Sequence, residues 1–300
     1  MTVLVTGASG FIGRELTRAL ASRGERVRAM VRTARAAEAL AGVDCELVRG
    51  EVVDPASLRA AARGCRSIVH LVSIVEGRPA AFERVMAAGT GNLVEAARET
   101  GVRRIVYVSA LGTGSDATVP YYRAKWAAER LVADSGIGHA ILRPSFVFGP
   151  SGGALPRLMR IARLAPVTLV LGPGTQRVQP VWIDDVVGAL ARSLDHDDDL
   201  LVEVGGPDAV TWNDLWSRIK AALGTRRPQV NVPFWLARGP ASLLERLPDA
   251  VLTRDQLRML EGPDNVVTDG GASLRALGLE TLVPLDEQLR RTATAERGSA

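Results

Sequence analysis

A tyrosine and a lysine whose side chains could carry out proton transfer lie four residues apart in the middle of the chain. The segment reads Tyr121-Tyr122-Arg123-Ala124-Lys125 and follows Pro120, and proline is favoured in the first turn of a helix. Residues four apart share one helical face. We therefore expect the Lys125 ammonium to lie beside the Tyr121 phenol and to lower its pKa from about 10 toward neutrality. Such a pair is suited to acid–base catalysis in hydride transfer.

A second tyrosine, Tyr122, lies three residues before Lys125 and also reaches its face of the helix, so spacing alone does not choose between the two. We favour Tyr121. Lysine itself is informative, because Lys125 and Lys220 are the only lysines among 37 basic residues. A compact ammonium can donate to ribose hydroxyls, a role that the planar guanidinium of arginine fills poorly. Lys125 is therefore interpreted as a residue that the chemistry requires.

A serine is the third candidate catalytic residue. Ser109 follows the apolar run 104–108 and precedes Tyr121 by twelve residues. Its hydroxyl could hydrogen-bond a substrate carbonyl while the proton is delivered. The alternative is a serine that merely ends a strand, with Thr113 and Ser115 in the next loop as substitutes.

A glycine-rich segment near the start of the chain predicts a binding site for a dinucleotide. It follows the first apolar run, opens a helical segment and has the spacing G-x-x-G-x-x-G, one residue longer than the usual fingerprint. Glycines allow the backbone to approach a pyrophosphate, and the amides at the helix start favour its negative charge. The predicted contacts are Gly7, Ser9, Gly10, Phe11, Ile12 and Gly13.

The ends of the next three strands predict which dinucleotide is bound. Proteins that bind NAD place an acidic residue about 20 positions after the glycines, whereas Arg32 occupies this region here, followed by Arg35. A guanidinium binds a 2′-phosphate with two hydrogen bonds, and Arg14 could close the other side, so the sequence favours NADP(H) over NAD(H). The residues expected to flank adenine and ribose are Glu51, Val52, Leu71, Val72 and Ser73.

The elements that position these residues alternate between short β-branched runs and longer helical stretches, which predicts an α/β fold with a doubly wound parallel sheet. The strand candidates are Val3–Thr6, Val27–Val31, Cys45–Val48, Ser67–Leu71, Arg104–Val108 and His139–Leu142, with helices near 11–23, 55–63, 80–100 and 120–135.

The second half of the chain is irregular and rich in glycine and proline, which predicts a smaller substrate domain interleaved with the first. We expect the dinucleotide domain over 1–150, with 178–205 returning to it, and the smaller domain over 151–177 and 206–300. A strand and helix are expected within 178–194. The apolar segment 233–260 either packs the smaller domain or forms a lid over a hydrophobic substrate.

Composition excludes several classes of protein. The chain has 300 residues, of which 47% are hydrophobic, and its net charge of +4 is spread without a basic block, so neither disorder nor nucleic-acid binding is favoured. Cys45 and Cys65 have no disulfide or metal-ligand spacing and are expected to be buried in a cytoplasmic protein. No membrane span is expected. The acidic run at 195–199 is interpreted as a solvated turn, and no metal site is predicted.

These motifs together resemble the short-chain dehydrogenase/reductase superfamily in its extended or atypical branch. The resemblance rests on the glycine segment, on Ser109, Tyr121 and Lys125, and on the run from Arg143 to Pro150, and it covers most of the chain. The segments Gln179–Val186, Thr253–Leu257 and Asp264–Val267 are similar to bacterial relatives of the nucleotide-binding accessory subunit of mitochondrial complex I. Glu51 departs from the family pattern, in which Asp is usual.

The resemblance implies roles for individual residues. Tyr121 would be the acid or base, Lys125 would orient the nicotinamide ribose, Ser109 would position the substrate, and Pro144 and Val147 would border the nicotinamide. We expect NADP(H)-dependent hydride transfer to or from a small carbonyl, alcohol or sugar-like substrate, and an apolar substrate if the segment 233–260 forms a lid. Two alternatives stay open: a non-catalytic protein that holds a nucleotide for structure or redox sensing, and an NAD-dependent sugar epimerase or dehydratase.

Overall fold

The computed structural model describes residues 2–75, 77–237 and 254–298, and these form two compact units. The first unit comprises Met1–Pro144, Ile183–Val204 and Gly271–Glu280. The second comprises Ser145–Trp182, Gly205–Gly270 and Thr281–Ala300. The predicted domain boundaries at residues 150, 178 and 206 stay a prediction.

The strands of the described residues are, in chain order, β1 (Thr2–Thr6), β2 (Arg26–Val31), β3 (Glu46–Arg49), β4 (Ser67–His70), β5 (Arg104–Val108), β6 (Gly138–Pro144), β7 (Val147–Gly149), β8 (Gly152–Gly153), β9 (Thr168–Leu171), β10 (Arg177–Val178), β11 (Val181–Trp182), β12 (Leu200–Val204), β13 (Val210–Thr211) and β14 (Gln229–Val232).

The α-helices are α1 (Phe11–Ser22), α2 (Ala34–Glu38), α3 (Pro55–Ala62), α4 (Pro79–Phe82), α5 (Gly89–Thr100), α6 (Pro120–Ala133), α7 (Leu155–Leu164), α8 (Ile183–Leu194), α9 (Trp212–Leu223), α10 (234–237), α11 (Arg254–Glu261), α12 (Ala272–Ala276) and α13 (Leu285–Gly298). A π-helical segment, Glu83–Ala88, joins α4 to α5. The helix expected over 80–100 is thus three consecutive helical pieces.

A seven-stranded parallel sheet with the order β3-β2-β1-β4-β5-β6-β12 forms the centre of the first unit. Its central strands carry apolar residues on both faces, because helices cover both sides of a parallel sheet; Leu4, Val5, Ile68, Val69, Ile105 and Val106 are fully buried. This confirms the predicted doubly wound sheet. The chain leaves β1 in one direction and β4 in the other, so their carboxyl ends open a crevice for a ligand.

The six predicted strands of the sheet are present to within two residues at each end, whereas the seventh, β12, was missed. Residues 178–194 were expected to return to the sheet as a strand and a helix. Helix α8 does return to the first unit, but the strands before it, β10 and β11, belong to small sheets of the second unit. Strand β12, which follows the acidic turn at 195–199, fills the outer position beside β6.

The second unit is built from three small sheets and a cluster of helices. Its sheets are β11-β7-β8, the antiparallel pair β10-β13 and the parallel pair β14-β9. Helices α7, α9 and α13 pack on one another, and the buried side chains they contribute include Leu155, Met159, Leu215, Ile219, Leu285 and Leu289. Much of the candidate lid, residues 238–253, lies outside the described residues.

Three further features bear on the sequence-based expectations. Cys65 is buried as expected, but Cys45 is only partly buried, because it precedes the edge strand β3. In the part of the chain that the structure describes, no helix combines the length and apolar character that a bilayer crossing requires. The same residues contain no group of His, Cys, Asp and Glu arranged to hold a metal ion.

Candidate active site

The glycine loop lies at the carboxyl end of β1 and makes close backbone contacts that exclude larger residues. Gly7 has a φ of +73°, and a Cβ there would lie 3.1 Å from the carbonyl carbon of Leu71. A Cβ on Gly13 would overlap the carbonyl oxygen of Gly7 and lie 2.8 Å from the Cα of Ala8. The loop therefore packs tightly against both β4 and helix α1, which it could not do with side chains at these positions.

Helix α1 begins at this loop with an N-cap that supplies no side chain. Gly10 is the N-cap residue, its amide donates to the Gly7 carbonyl at 3.0 Å, and no side chain caps the helix. Ser9, Phe11 and Ile12 complete this turn and are half-buried. Amides at the start of a helix attract anions. The tight backbone and uncapped helix start fit the pyrophosphate of a dinucleotide.

A buried histidine holds this loop in place from the neighbouring strand. His70 Nδ1 lies 2.7 Å from Thr6 Oγ1, and its Nε2 lies 3.0 Å from Thr90 Oγ1. Thr90 in turn donates to the Met86 carbonyl. Burial, with a smaller effect of the Lys125 charge, lowers the pKa of His70 to about 3. The imidazole is therefore neutral and links β1, β4 and α5, in keeping with a core or crevice residue.

Two charged side chains lie where the adenosine end of a dinucleotide is expected. Arg32 directly follows β2, its side chain is 75% exposed, and its guanidinium lies 3.8 Å from a carboxylate oxygen of Glu51. Exposed ion pairs of this kind contribute little, so either partner can rearrange around a ligand. Arg35 lies in α2, and Arg14 lies 3.5 Å from Glu15.

Four more of the predicted cofactor residues follow the strands β3 and β4. Val52 is buried against α5, and its carbonyl accepts from Asn92 at 3.0 Å. The amide of Leu71 donates to the Thr6 carbonyl, Val72 is half-buried, and Ser73 is exposed. These backbone bonds fix the path of each loop as it leaves the sheet.

Tyr121 lies in the first turn of α6 and is half-buried in a small apolar cluster. Its ring packs edge-on against Phe82 and Tyr122, and the cluster also contains Met86, Ala124 and Ile74. Burial raises the pKa of Tyr121, and a hydrogen bond with the Ser73 hydroxyl opposes this in part. The expected lowering of this pKa by Lys125 is wrong here, because burial dominates. The phenol is protonated at neutral pH and can donate a proton.

Tyr122 lies in a different environment from Tyr121. Its ring approaches the backbone at Gly112, where a Cβ would lie 3.6 Å from its Cζ atom. Burial raises the pKa of Tyr122 to about 12. Lys125 Nζ lies 6.0 Å from the centre of the Tyr121 ring. The structure therefore brings Lys125 and the strand-end residue Ser73 to Tyr121, while Tyr122 packs toward the loop after β5.

Lys125 is 1% exposed, and its ammonium has specific partners. Nζ donates to the Val108 carbonyl at 2.6 Å and lies 5.1 Å from the centre of the Tyr107 ring. Burial lowers the pKa of Lys125 to about 7, and the Glu129 carboxylate opposes this lowering. The carbonyl and the ring face both favour the charged form.

Ser109 lies at the end of β5 as predicted, but its hydroxyl faces Thr113. The two side-chain oxygens are 3.4 Å apart, both residues are buried, and the Ser109 amide donates to the Leu142 carbonyl. Ser73, which the sequence assigned only to the cofactor, is the serine that reaches Tyr121. The catalytic role of Ser109 stays a prediction.

Three charged or polar residues around Lys125 were missed in the sequence. Tyr107 is buried with no hydrogen-bond partner on its hydroxyl, and burial raises its pKa. Glu129 and Arg143 form an ion pair in which the carboxylate is buried and the guanidinium is partly exposed. Glu129 lies four residues after Lys125, so the same four-residue spacing that pairs Tyr121 with Lys125 could have identified it as a neighbour of Lys125. No local spacing in the sequence relates Arg143 to Lys125.

The last two predicted cofactor residues are placed in different units. Pro144 is buried at the end of β6 in the first unit, and its carbonyl accepts from the Leu111 amide at 2.9 Å. Val147 begins β7 in the second unit and pairs with Val181 of β11. Their roles beside a nicotinamide stay predictions.

One family model matches most of the sequence, including the glycine loop and the segment that carries Tyr121 and Lys125. Residues 3–205 match the NAD dependent epimerase/dehydratase family. The chain is also similar to a ceramide reductase of Caulobacter vibrioides, with 30% identity over 77% of this chain and 73% of the relative. It is 29% identical to a 2-alkyl-3-oxoalkanoate reductase of Stenotrophomonas maltophilia, over 82% and 83% of the two chains.

A third relative is a subunit of a respiratory complex. The mitochondrial NADH dehydrogenase (ubiquinone) 1 alpha subcomplex subunit 9 of Arabidopsis thaliana is 27% identical over 92% of this chain and 73% of its own length. Among solved structures, a UDP-glucose 4-epimerase of Thermotoga maritima with UDP-glucose superimposes with a TM-score of 0.79 at 21% identity, covering 100% and 99% of the chains. A UDP-glucose 4-epimerase of Thermus thermophilus in complex with NAD gives 0.77 at 20% identity, covering 100% of both.

The geometry of the glycine loop predicts the effect of one added methyl group. In Gly13→Ala the new Cβ overlaps the Gly7 carbonyl oxygen, so the loop must shift. Its amides then no longer point toward the position of the pyrophosphate. We expect dinucleotide affinity, measured by calorimetry, to fall at least tenfold, which is about 1.4 kcal/mol.

Gly91→Ala, in helix α5, is the matched control, because its Cβ would make an ordinary contact of 3.7 Å with Leu131 of α6. Its affinity should equal that of the wild type. Unchanged affinity in Gly13→Ala would show that this loop does not hold the dinucleotide.

Proposed function

The chain belongs to the NAD-dependent epimerase/dehydratase family, and from that premise we propose that it uses NADPH to reduce the carbonyl group of a largely apolar substrate. It is an NAD(P)-binding oxidoreductase of the short-chain dehydrogenase/reductase type. The observation that carries the proposed direction is the protonated Tyr121, which lies at the carboxyl edge of the sheet between Ser73 and Lys125.

The residues of the first unit fit a nicotinamide dinucleotide. The glycine loop and the start of α1 would hold its pyrophosphate, and Lys125 would donate to the hydroxyls of the nicotinamide ribose. When bound, the dinucleotide supplies the hydride. A nicotinamide cofactor also agrees with the fold, which is shared with an epimerase solved in complex with NAD.

The protein's own part in the reduction is to deliver a proton and to stabilise the charge left behind. Tyr121 donates its phenolic proton to the carbonyl oxygen as that oxygen gains negative charge. The Ser73 hydroxyl orients the phenol, and the Lys125 ammonium stabilises the phenolate that forms. Phe82 and Met86 keep water away from the ring, which strengthens these interactions.

A preference for NADPH is supported by the position of Arg32. Its guanidinium is exposed at the end of β2, where a 2′-phosphate would lie, and its contact with Glu51 is long. A phosphate with two hydrogen bonds to Arg32 would replace this weak pair.

An apolar substrate is supported by the relatives and by the second unit. A ceramide and a 2-alkyl-3-oxoalkanoate, which the names of two relatives mention, both carry alkyl chains. The second unit has a cavity of about 710 Å³, lined mainly by apolar groups that include Pro173, Phe234 and Trp235. The Trp235 side chain is 69% exposed, and exposed aromatic residues are common at binding sites.

Two other functions have a specific observation in their favour. Similarity to the complex I subunit over 92% of the chain favours a protein that holds a nucleotide without turnover. The fold shared with UDP-glucose 4-epimerases favours epimerisation with a retained dinucleotide. We also propose a cytoplasmic location, which the free Cys45 and Cys65 support.

The proposed proton donor predicts a large loss of activity from removal of one oxygen atom. In Tyr121→Phe, carbonyl-dependent NADPH oxidation should fall by about 100-fold or more. The affinity for NADPH should be unchanged, because the ring and its packing remain. Tyr122→Phe is the control and should retain turnover; the reverse result would move the role to Tyr122.

The proposed phosphate ligand predicts a change of cofactor preference. In Arg32→Asp a carboxylate repels the 2′-phosphate, so the ratio of kcat/KM for NADPH to that for NADH should fall at least tenfold, about 1.4 kcal/mol. Arg26→Asp places the same change on an exposed residue at the other end of β2 and should leave the ratio unchanged. An unaltered ratio in Arg32→Asp would exclude Arg32 as the ligand.

A further inference from the structure

The Lys125 ammonium occupies an unusual position for a charge, since it is almost fully buried within the first unit. Its hydrogen bond to the Val108 carbonyl satisfies one of its three donors. Transferring a charge out of water is costly unless an opposite charge or several dipoles compensate. The protonation state of this amine therefore depends on the charged and polar groups that surround it.

The groups that face Lys125 come from three elements. On its own helix these are Tyr121 and Glu129, β5 contributes Tyr107, and β4 contributes His70. Both tyrosines and the histidine are neutral at pH 7, because burial raises the pKa of each phenol and lowers that of the imidazole. Glu129 is thus the negative charge among these groups.

Glu129 is held rigidly at this position by an arginine from the next strand. Its carboxylate is 3% exposed and accepts two hydrogen bonds from Arg143, at 2.8 Å from Nε and 2.6 Å from Nη2. The bond with Glu129 raises the pKa of Arg143. A bidentate pair holds the carboxylate in one position and orientation. Four residues along α6, it lies one helical turn from Lys125.

We propose that Glu129, anchored by Arg143, is a positioning residue that keeps Lys125 in its ammonium form. The effect of Glu129 on catalysis rests on the proposed function. Glu129 extends to higher pH the range in which the Lys125 ammonium can stabilise the Tyr121 phenolate. Glu129 itself does not touch the reacting atoms; it acts through Lys125.

The sign of the effect follows from the charges. Burial lowers the pKa of Lys125 to about 7, and the carboxylate raises it against that effect. The ammonium is therefore present below about pH 7 and is lost above it. Removal of the negative charge should move this transition to lower pH, so that the amine becomes neutral at pH 7.

The two lysines of the chain allow a direct test by NMR on the full-length protein. With lysine labelled at the side-chain carbon and nitrogen, only Lys125 and Lys220 give signals, and Lys220→Arg assigns them. We expect the titration midpoint of Lys125 to fall by about one pH unit or more in Glu129→Gln.

Glu95→Gln is the matched control, since it removes a carboxylate from an exposed pair with Arg98; the Lys125 midpoint should then not move. Glu129→Asp keeps the charge and should restore most of the midpoint. If Glu129→Gln does not fold, Glu129→Gln with Arg143→Gln leaves no unpaired charge and should still shift the Lys125 midpoint downward, by less than the single variant, because the repulsive charge of Arg143 is removed as well. A Lys125 midpoint equal to that of the wild type in the folded variant would overturn the proposal.

Kinetics separate this inference from the proposed function. The high-pH limb of kcat/KM for carbonyl reduction should shift with the Lys125 midpoint in Glu129→Gln. A midpoint that moves without the limb supports the role of Glu129 in ionisation, and it contradicts the role of Lys125 in turnover. A shift of the high-pH limb of kcat/KM without a shift of the Lys125 titration midpoint overturns the inference.

Discussion

The buried ammonium of Lys125 is the constraint on which the arrangement of the site depends. Its partners come from two elements: β5 provides the Val108 carbonyl and the Tyr107 ring, and α6, which carries Lys125 itself, provides the Glu129 carboxylate. Arg143 of β6 then fixes Glu129. Because removal of one partner leaves a charge without compensation, the sheet edge and helix α6 must keep their relative placement. Tyr121, on the same helix, is thereby held at the edge of the sheet where the glycine loop lies.

The protonation states around this charge favour reduction of a carbonyl. A phenol keeps its proton at neutral pH, and the packing of the Tyr121 ring among Phe82, Met86 and Ala124 raises its pKa further, so Tyr121 is a proton donor. His70 is neutral and holds Thr6 and Thr90, so it contributes rigidity to the loop and no charge. The site thus contains one proton donor and one cation, which are the two groups that a developing alkoxide requires.

The sequence was sufficient where the physical cause is local. The glycine spacing, the strand ends that carry Arg32 and Glu51, and the helical pairing of Tyr121 with Lys125 all depend on neighbours in the chain. The resemblance to short-chain dehydrogenases/reductases and to the complex I subunit is confirmed by the family match and by the relatives. The direction of the shift in the Tyr121 pKa was not predictable, because it depends on Phe82 and Met86, which helix α4 and the π-helical segment after it bring to the ring. The contact of Ser73 with Tyr121 and the anchoring of Glu129 by Arg143 depend on strand order, which spacing does not encode.

The central claim is that the site transfers hydride and does not only hold a nucleotide. The most direct measurement uses NADPH deuterated at nicotinamide C4 with a panel of 3-oxo esters of increasing alkyl length, with the products analysed by mass spectrometry. Hydride transfer predicts one deuterium at the new carbinol carbon. It also predicts that the yield of deuterated product falls by about 100-fold or more in the variant that lacks the Tyr121 hydroxyl. Tight binding of NADPH with no deuterated product from any carbonyl on the panel would contradict the claim and favour a nucleotide-holding protein.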